Sequence, residues 1–323
     1  MRWNDSFFWV ALAAATVGLW WYPNSADRYT IFVLYTLFLN ISLAQSWNLV
    51  GGYTGLISLG HASFFGIGAY TAAICMTQFD FPFWPAAILG GVLATIFAVI
   101  IAFPTFRFRG VYFAIGTLIL SESLRIWMIN WKWTGGAQGI RFPLKEVPDR
   151  TEFYYIMLVC AATITGVVFW ISRNKLGLGL RALRDNEQSA CNMGVNAFRT
   201  KLVALTISAF ATGLIGAIHA ARLSTIEPYS IFGFTWTVSM MNMVIIGGMG
   251  TVIGPIVGAL FLTYLDEYLA DYLSYHLIIT GVLLILVIRF MPKGIWGWLT
   301  DEALPYVLRR LRPRKTQENV HDS

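Results

Sequence analysis

An all-α polytopic membrane protein is what this sequence predicts, and three observations carry that prediction. Apolar segments long enough to cross a hydrocarbon core of about 30 Å recur along its length. Only 12% of residues are charged while 57% are hydrophobic, against roughly 25% charged in soluble domains. Lysine and arginine are also sorted by side. Fifteen of the 23 fall in loops that share the side of the N-terminus, six fall opposite, and Arg125 and Arg289 lie within segments. The mean hydropathy of +0.61 agrees. Helices are expected because a segment in lipid has to satisfy its own backbone.

Ten segments qualify, near 7–22, 29–50, 55–78, 84–104, 111–130, 152–172, 200–222, 232–250, 252–270 and 272–291. The first resembles a signal peptide in its apolar run, but Trp20, Trp21, Tyr22 and Pro23 stand where a cleavage site would be. An uncleaved helix ending in an aromatic belt fits better. Ten crossings return both termini to one side, and the positive-inside rule makes that side cytoplasmic. The expected organisation is one membrane domain over 1–291, with a cytoplasmic loop at 173–199, and a basic tail over 292–323. The net charge of +6 follows this sidedness and does not point to nucleic acid. Cys75 and Cys160 lie in apolar segments and Cys191 in a loop, with no CxxC, which argues against disulfides or zinc.

The stretch Gly51–Tyr70 organises the chain. It holds six glycines inside apolar sequence, together with Ser58, His61 and Ser63. Small residues at Gly55, Ser58, Ala62, Gly66, Ala69 and Ala73 recur at helical spacing and mark one stripe. Such a stripe makes a tight helix seam in lipid. The alternative is that Ser58, His61 and Ser63 line a route through the membrane. Gly51, Gly52 and Gly55 also permit a turn or a broken helix start. A second small-residue region, with Gly247, Gly248, Gly250, Gly254 and Gly258 around Pro255, is either a partner of the first or a hinge.

Charges inside spanning segments are costly and are functional candidates. Glu122 and Arg125 stand three apart, on one helix face. They read either as a self-neutralising pair or as a contact for a zwitterionic solute. His219 and Arg222, near an outer helix end, are expected to snorkel to the interface, and Asp266 and Glu267 to be hydrated. The 131–151 loop, with Trp131 and Trp133 as interfacial anchors, is a connector or an external docking surface. The 173–199 loop predicts a short surface helix over 180–193, with Leu180, Leu183, Ala190 and Met193 as its apolar face and Gly194 as its cap. The sequence has no GxxxxGK[ST] phosphate loop, no HExxH and no nucleophile constellation. If transport here is driven by ATP, a separate polypeptide has to hydrolyse it.

The glycine-rich stretch resembles that of the LivM-like permease subunits of branched-chain amino acid ABC importers. Arg109–Ile115, Glu122–Arg125, Thr134–Ile140 and Gly247–Pro255 extend the resemblance, in family order, over roughly 30–297. It implies a type II ABC importer fold in a bacterial inner membrane. It also implies a paralogous LivH-like permease, two ABC ATPases carrying ATP and Mg, and a periplasmic solute-binding protein. No cofactor or metal is expected on this chain, and no enzymatic activity. The 173–199 loop resembles the cytoplasmic coupling loop of such importers, which implies that Arg181, Leu183, Arg184, Glu187, Ala190, Met193 and Gly194 meet an ATPase. Gln188-Ser189-Ala190 and Gly194 fit the first half of Glu-Ala-Ala-x-x-x-Gly, with Gln188 in place of the acid and the later Ile-x-Leu-Pro absent. The rival readings are a permease for urea or short amides, an ATP-independent secondary transporter and a passive channel.

Overall fold

The computed structural model describes residues 5–25, 27–142, 147–269, 276–291 and 293–300. In chain order the helices are α1 (Asp5–Trp21), α2 (Arg28–Thr54), α3 (His61–Gln78), α4 (Phe83–Thr105), α5 (Val111–Asn130), α6 (Arg150–Arg173) and α7 (Lys175–Asp185). They continue as α8 (Glu187–Asn192), α9 (Ala197–Leu223), α10 (Pro228–Ile231), α11 (Phe234–Gly247), α12 (Ile253–Tyr268), α13 (His276–Phe290) and α14 (Gly294–Trp298). A departure from all-helix is a two-residue antiparallel pair, β1 (Ile140–Arg141) and β2 (Thr225–Ile226), which ties the 131–151 loop to the end of α9.

The fold is built around α2. Every residue from Leu37 to Thr54 is buried, including Asn40, Gln45 and Asn48. A helix buried on all sides needs neighbours on all sides, and α6, α9, α11 and α12 supply them. A second group, α3, α4 and α9, packs backbone to backbone. A Cβ at Gly68 would run into the Gly213 carbonyl, and one at Gly216 into the Phe65 carbonyl. Close approach of this kind drives helix association where water expulsion cannot. Peripheral α1 lies on α6, with Phe8 stacked on Phe169 at 3.7 Å between centroids and the Tyr154 hydroxyl donating to the Leu19 carbonyl. Outward faces stay apolar, as at Ile96, Ile100, Phe103, Ile119 and Trp170, which suits hydrocarbon.

A helix lies in each of the ten expected segments, and among the described residues six stretches are long and apolar enough to cross a membrane: α2, α4, α5, α6, α9 and Pro228–Gly247, which joins α10 to α11. The others are α1, α3, α12 and α13. The largest boundary shift is at the third helix. The third helix begins at His61 rather than Gly55, because Gly55 closes α2 in the left-handed region (φ 73°) and residues 55–60 leave the helix. The eighth begins at Phe234 after the short α10. The tail expected from 292 starts inside the fold: Gly294 of α14 is buried, pressed on the Gly247–Gly248 turn. Residues 301–323, the rest of that tail, lie outside the described residues.

Candidate functional site

Residues 55–60 are non-helical backbone folded back against the end of α2. Such backbone is tolerated at membrane depth only where protein or water satisfies it; here α2 and α5 bond residues 55–60, while α9 and α11 hold the first turn of α3 that follows. Trp47 of α2 donates its indole N–H to the Ser58 carbonyl at 2.9 Å. The Leu59 amide donates to the Thr117 hydroxyl of α5 at 3.0 Å. The Ala62 amide, in the first turn of α3, donates to the Thr237 hydroxyl of α11 at 2.9 Å. His61 completes the knot. Its Nδ1 lies 3.1 Å from Ser58 Oγ and its Nε2 2.9 Å from Ser208 Oγ of α9, while that hydroxyl donates to the Ser46 carbonyl.

His61 is fully buried, with both ring nitrogens engaged. Ser58 leaves the expected helical stripe and sits in the break. Ser63 is buried in the first turn of α3, its amide bonded to the Gly60 carbonyl.

The two glycine regions meet each other. A Cβ at Gly52 would strike Asn48 Oδ1 and the Gly250 amide, and one at Gly250 would lie 2.9 Å from the Gly52 carbonyl. Asn48 clamps the crossing, accepting from the Gly250 amide at 2.9 Å and donating to the Thr251 carbonyl at 2.8 Å. Gln45 donates to the Val252 carbonyl at 2.6 Å. Gly51 packs on Trp47, Gly66 on Phe232, and Gly247 on the Gly254 backbone. Gly248 and Gly250 take positive φ, 130° and 73°, to turn the chain from α11 into α12.

A basic segment docks on this crossing. The Arg184 guanidinium of α7 donates through Nη1 to the Gly52 carbonyl at 2.7 Å. Arg181 donates to the Ser172 carbonyl at 2.7 Å. Leu180 packs with Leu49, Tyr53, Val168, Ile171 and Ala204.

The expected single helix over 180–193 is two, broken at Asn186, whose side chain caps α8 by accepting from the Ser189 amide. Leu180, Leu183 and Ala190 are buried by the chain's own helices, so they are not a free apolar face. Glu187 pairs with the buried Lys201 at 2.7 Å. Met193, 87% exposed, and Leu178 are the large apolar residues that this segment leaves exposed. Gly194 follows at φ 90° with nothing within 4 Å of a Cβ.

Glu122 and Arg125 form the expected pair on α5, Nη2 to Oε2 at 2.7 Å and Nε to Oε2 at 2.8 Å. Arg125 also lies 5.8 Å from the Tyr229 ring centroid. The pair is about one-third exposed, on a helix of which few residues are buried by this chain. It is apart from the His61 knot, which α5 touches through Thr117 one to two turns earlier.

His219 departs from expectation. It is buried, with Nδ1 3.1 Å from the Tyr35 hydroxyl, and does not snorkel. Arg222 stacks over Tyr35 and Phe32 at 4.0 and 5.0 Å. Asp266 is exposed, and Glu267 accepts from the Tyr29 hydroxyl. Sequence reasoning missed Gln45, Asn48, Ser208 and Thr237. Their only signal is a polar side chain inside an apolar run.

Polar groups collected inside a helical bundle, an interrupted helix among them and an apolar exterior define a multi-pass membrane protein of the permease kind. Residues 29–288 match the family model described as branched-chain amino acid transport system / permease component. The chain belongs to that family. It is 30% identical to the high-affinity branched-chain amino acid transport system permease protein LivM of Escherichia coli K12, over 90% of this chain and 75% of that protein. The LivM protein of Salmonella typhimurium is 29% identical over the same shares. The LivH permease protein of E. coli K12 is 24% identical over 83% of this chain and 96% of LivH. No solved structure matches.

Proposed function

We propose that this chain is the permease subunit of an ATP-driven importer for branched-chain or related amino acids in a bacterial inner membrane. It pairs with a paralogous LivH-like permease. Two separate ATPases bind ATP and Mg, and a periplasmic binding protein delivers the solute. In this reading ten helices cross, and both termini face the cytoplasm. The permease family supports the solute class, since its curated relatives are named for branched-chain amino acid transport.

The observation that carries the mechanism is the bond from Arg184 to the Gly52 carbonyl. Closure of the ATPases moves α7 and α8, held through Met193 and neighbouring exposed residues. Arg184 passes that movement to the crossing of α2 with the α11–α12 turn. Residues 55–60, already outside the helix, absorb the dihedral change, as hinge segments do. Solute passes along the outer face of α5. There Glu122 and Arg125 would be costly against lipid, and the paralogous permease covers them. No covalent chemistry falls to this chain.

The test is reconstitution of both permeases in vesicles with and without the ATPases. Uptake of a branched-chain amino acid should require the ATPases, ATP and the binding protein together. Uptake by the permeases alone would contradict the proposal.

A further inference from the structure

Where α2 and α6 begin and α9 ends, a cavity of about 1090 Å³ opens, lined by none of the residues of the His61 knot or the glycine crossing. Arg28, Arg150 and Arg222, from three different helices, line it together with Phe32, Tyr35 and Phe153. Three guanidinium groups in one cavity repel one another unless an anion joins them. Among the described residues no carboxylate lies within ion-pair distance of any of the three. Asp149, which also lines the cavity, opens α6 in a capping box, its backbone amide donating to the Glu152 carboxylate at 2.9 Å. Glu267 accepts from Tyr29 at the rim. Arg222 meets aromatic faces instead of an acid, over Tyr35 and Phe32. The N-termini of α2 and α6, both long helices, add partial positive charge.

The depth of this cavity points to its occupant. The first turns of α6 carry Tyr154, bonded to Leu19, and Tyr155, packed on Trp20 at 4.5 Å. Trp20, Trp21 and Tyr22 are exposed beside them, a cluster of the kind that marks the headgroup level of a bilayer. The lining itself is amphipathic, with arginines beside Ile31, Phe32 and Phe153.

We propose that this cavity binds an anionic phospholipid, its phosphate held by Arg28, Arg150 and Arg222 and its glycerol and upper acyl chain by the aromatic wall. The site follows from position relative to the aromatic belt, so it holds whichever leaflet this end of the bundle faces. It is also independent of the importer reading, because its readout is lipid binding and not uptake.

The experiment is native mass spectrometry of the full chain, in the complex in which it purifies from mild detergent. It is titrated with phosphatidylglycerol, with phosphatidylethanolamine and with inorganic phosphate. Phosphatidylglycerol should bind in preference to phosphatidylethanolamine. Arg28→Gln/Arg150→Gln, which alters exposed rim residues, should weaken it roughly thirtyfold. The double Lys variant at these positions should recover most of the binding. Equal binding of the two lipids to the unaltered chain would overturn the proposal, whether or not the variants fold. So would an Arg28→Gln/Arg150→Gln variant that binds phosphatidylglycerol normally. Displacement of the lipid by inorganic phosphate at equal concentration would assign a free-anion site and overturn the lipid assignment.

Discussion

At His61 each ring nitrogen faces a serine hydroxyl, and one of those serines is 147 positions away in the chain. Neither partner was legible: Ser58 meets His61 only because residues 55–60 leave the helix, and Ser208 lies too far along the chain to leave a local pattern. Ser208→Ala should leave a buried ring nitrogen unpaired and cost about 1–3 kcal/mol. Thermal unfolding of the purified complex should show a lower Tm, with the KM for solute unchanged. A shifted KM at unchanged Tm would put His61 on the solute path. The Glu122–Arg125 pair was legible because three-residue spacing on a helix brings the two groups together whatever surrounds them. Its surroundings were not legible, since exposure depends on which helices pack on α5. Glu122→Gln and Arg125→Gln should each destabilise the assembled complex by about 2 kcal/mol. The double variant should recover part of that loss in a double-mutant cycle. Additive losses would mean that the two residues act separately.

Among the elements, α7 and α8 show where periodicity stops informing. Leu180 and Leu183 share a face, as their spacing predicts, but the pattern is silent on whether that face meets a partner or the chain's own helices. Here α2, α6 and α9 cover it. Leu183→Asp should therefore damage the fold itself, by about 3 kcal/mol or more for an uncompensated buried charge, seen as loss of folded protein in detergent. Met193→Asp should leave folding unchanged and release the ATPases from the purified complex. ATPase retention by Met193→Asp would show that this surface is not the contact. Likewise, both glycine regions were legible separately, from small residues inside apolar sequence. That Gly52 and Gly250 face each other was not, because their meeting depends on how the α11–α12 turn docks on α2.

For the molecule as a whole, sidedness rests on the basic residues, and Cys191 offers a direct check because it is exposed on α8. In intact right-side-out cells a membrane-impermeant thiol reagent should miss Cys191 and label it only after permeabilisation; labelling beforehand would invert the topology. That the chain is a multi-pass helical protein was legible from hydropathy, because lipid exposure imposes apolar length on a crossing helix. The α2–α3 break was legible only as a glycine-rich possibility, since the polar partners of the break and of the first turn of α3 come from four helices. In the proposed mechanism, movement of α7 and α8 reaches the membrane helices through the hydrogen bond from Arg184 to the Gly52 carbonyl. The most direct measurement is the ratio of solute imported to ATP hydrolysed, in vesicles holding the complete complex with Arg184→Ala. A charge-assisted bond of this kind contributes about 1.5–3 kcal/mol, so the ratio should fall roughly tenfold while binding-protein-stimulated hydrolysis persists. An unchanged ratio, with uptake and hydrolysis both at the level of the unaltered complex, would contradict it.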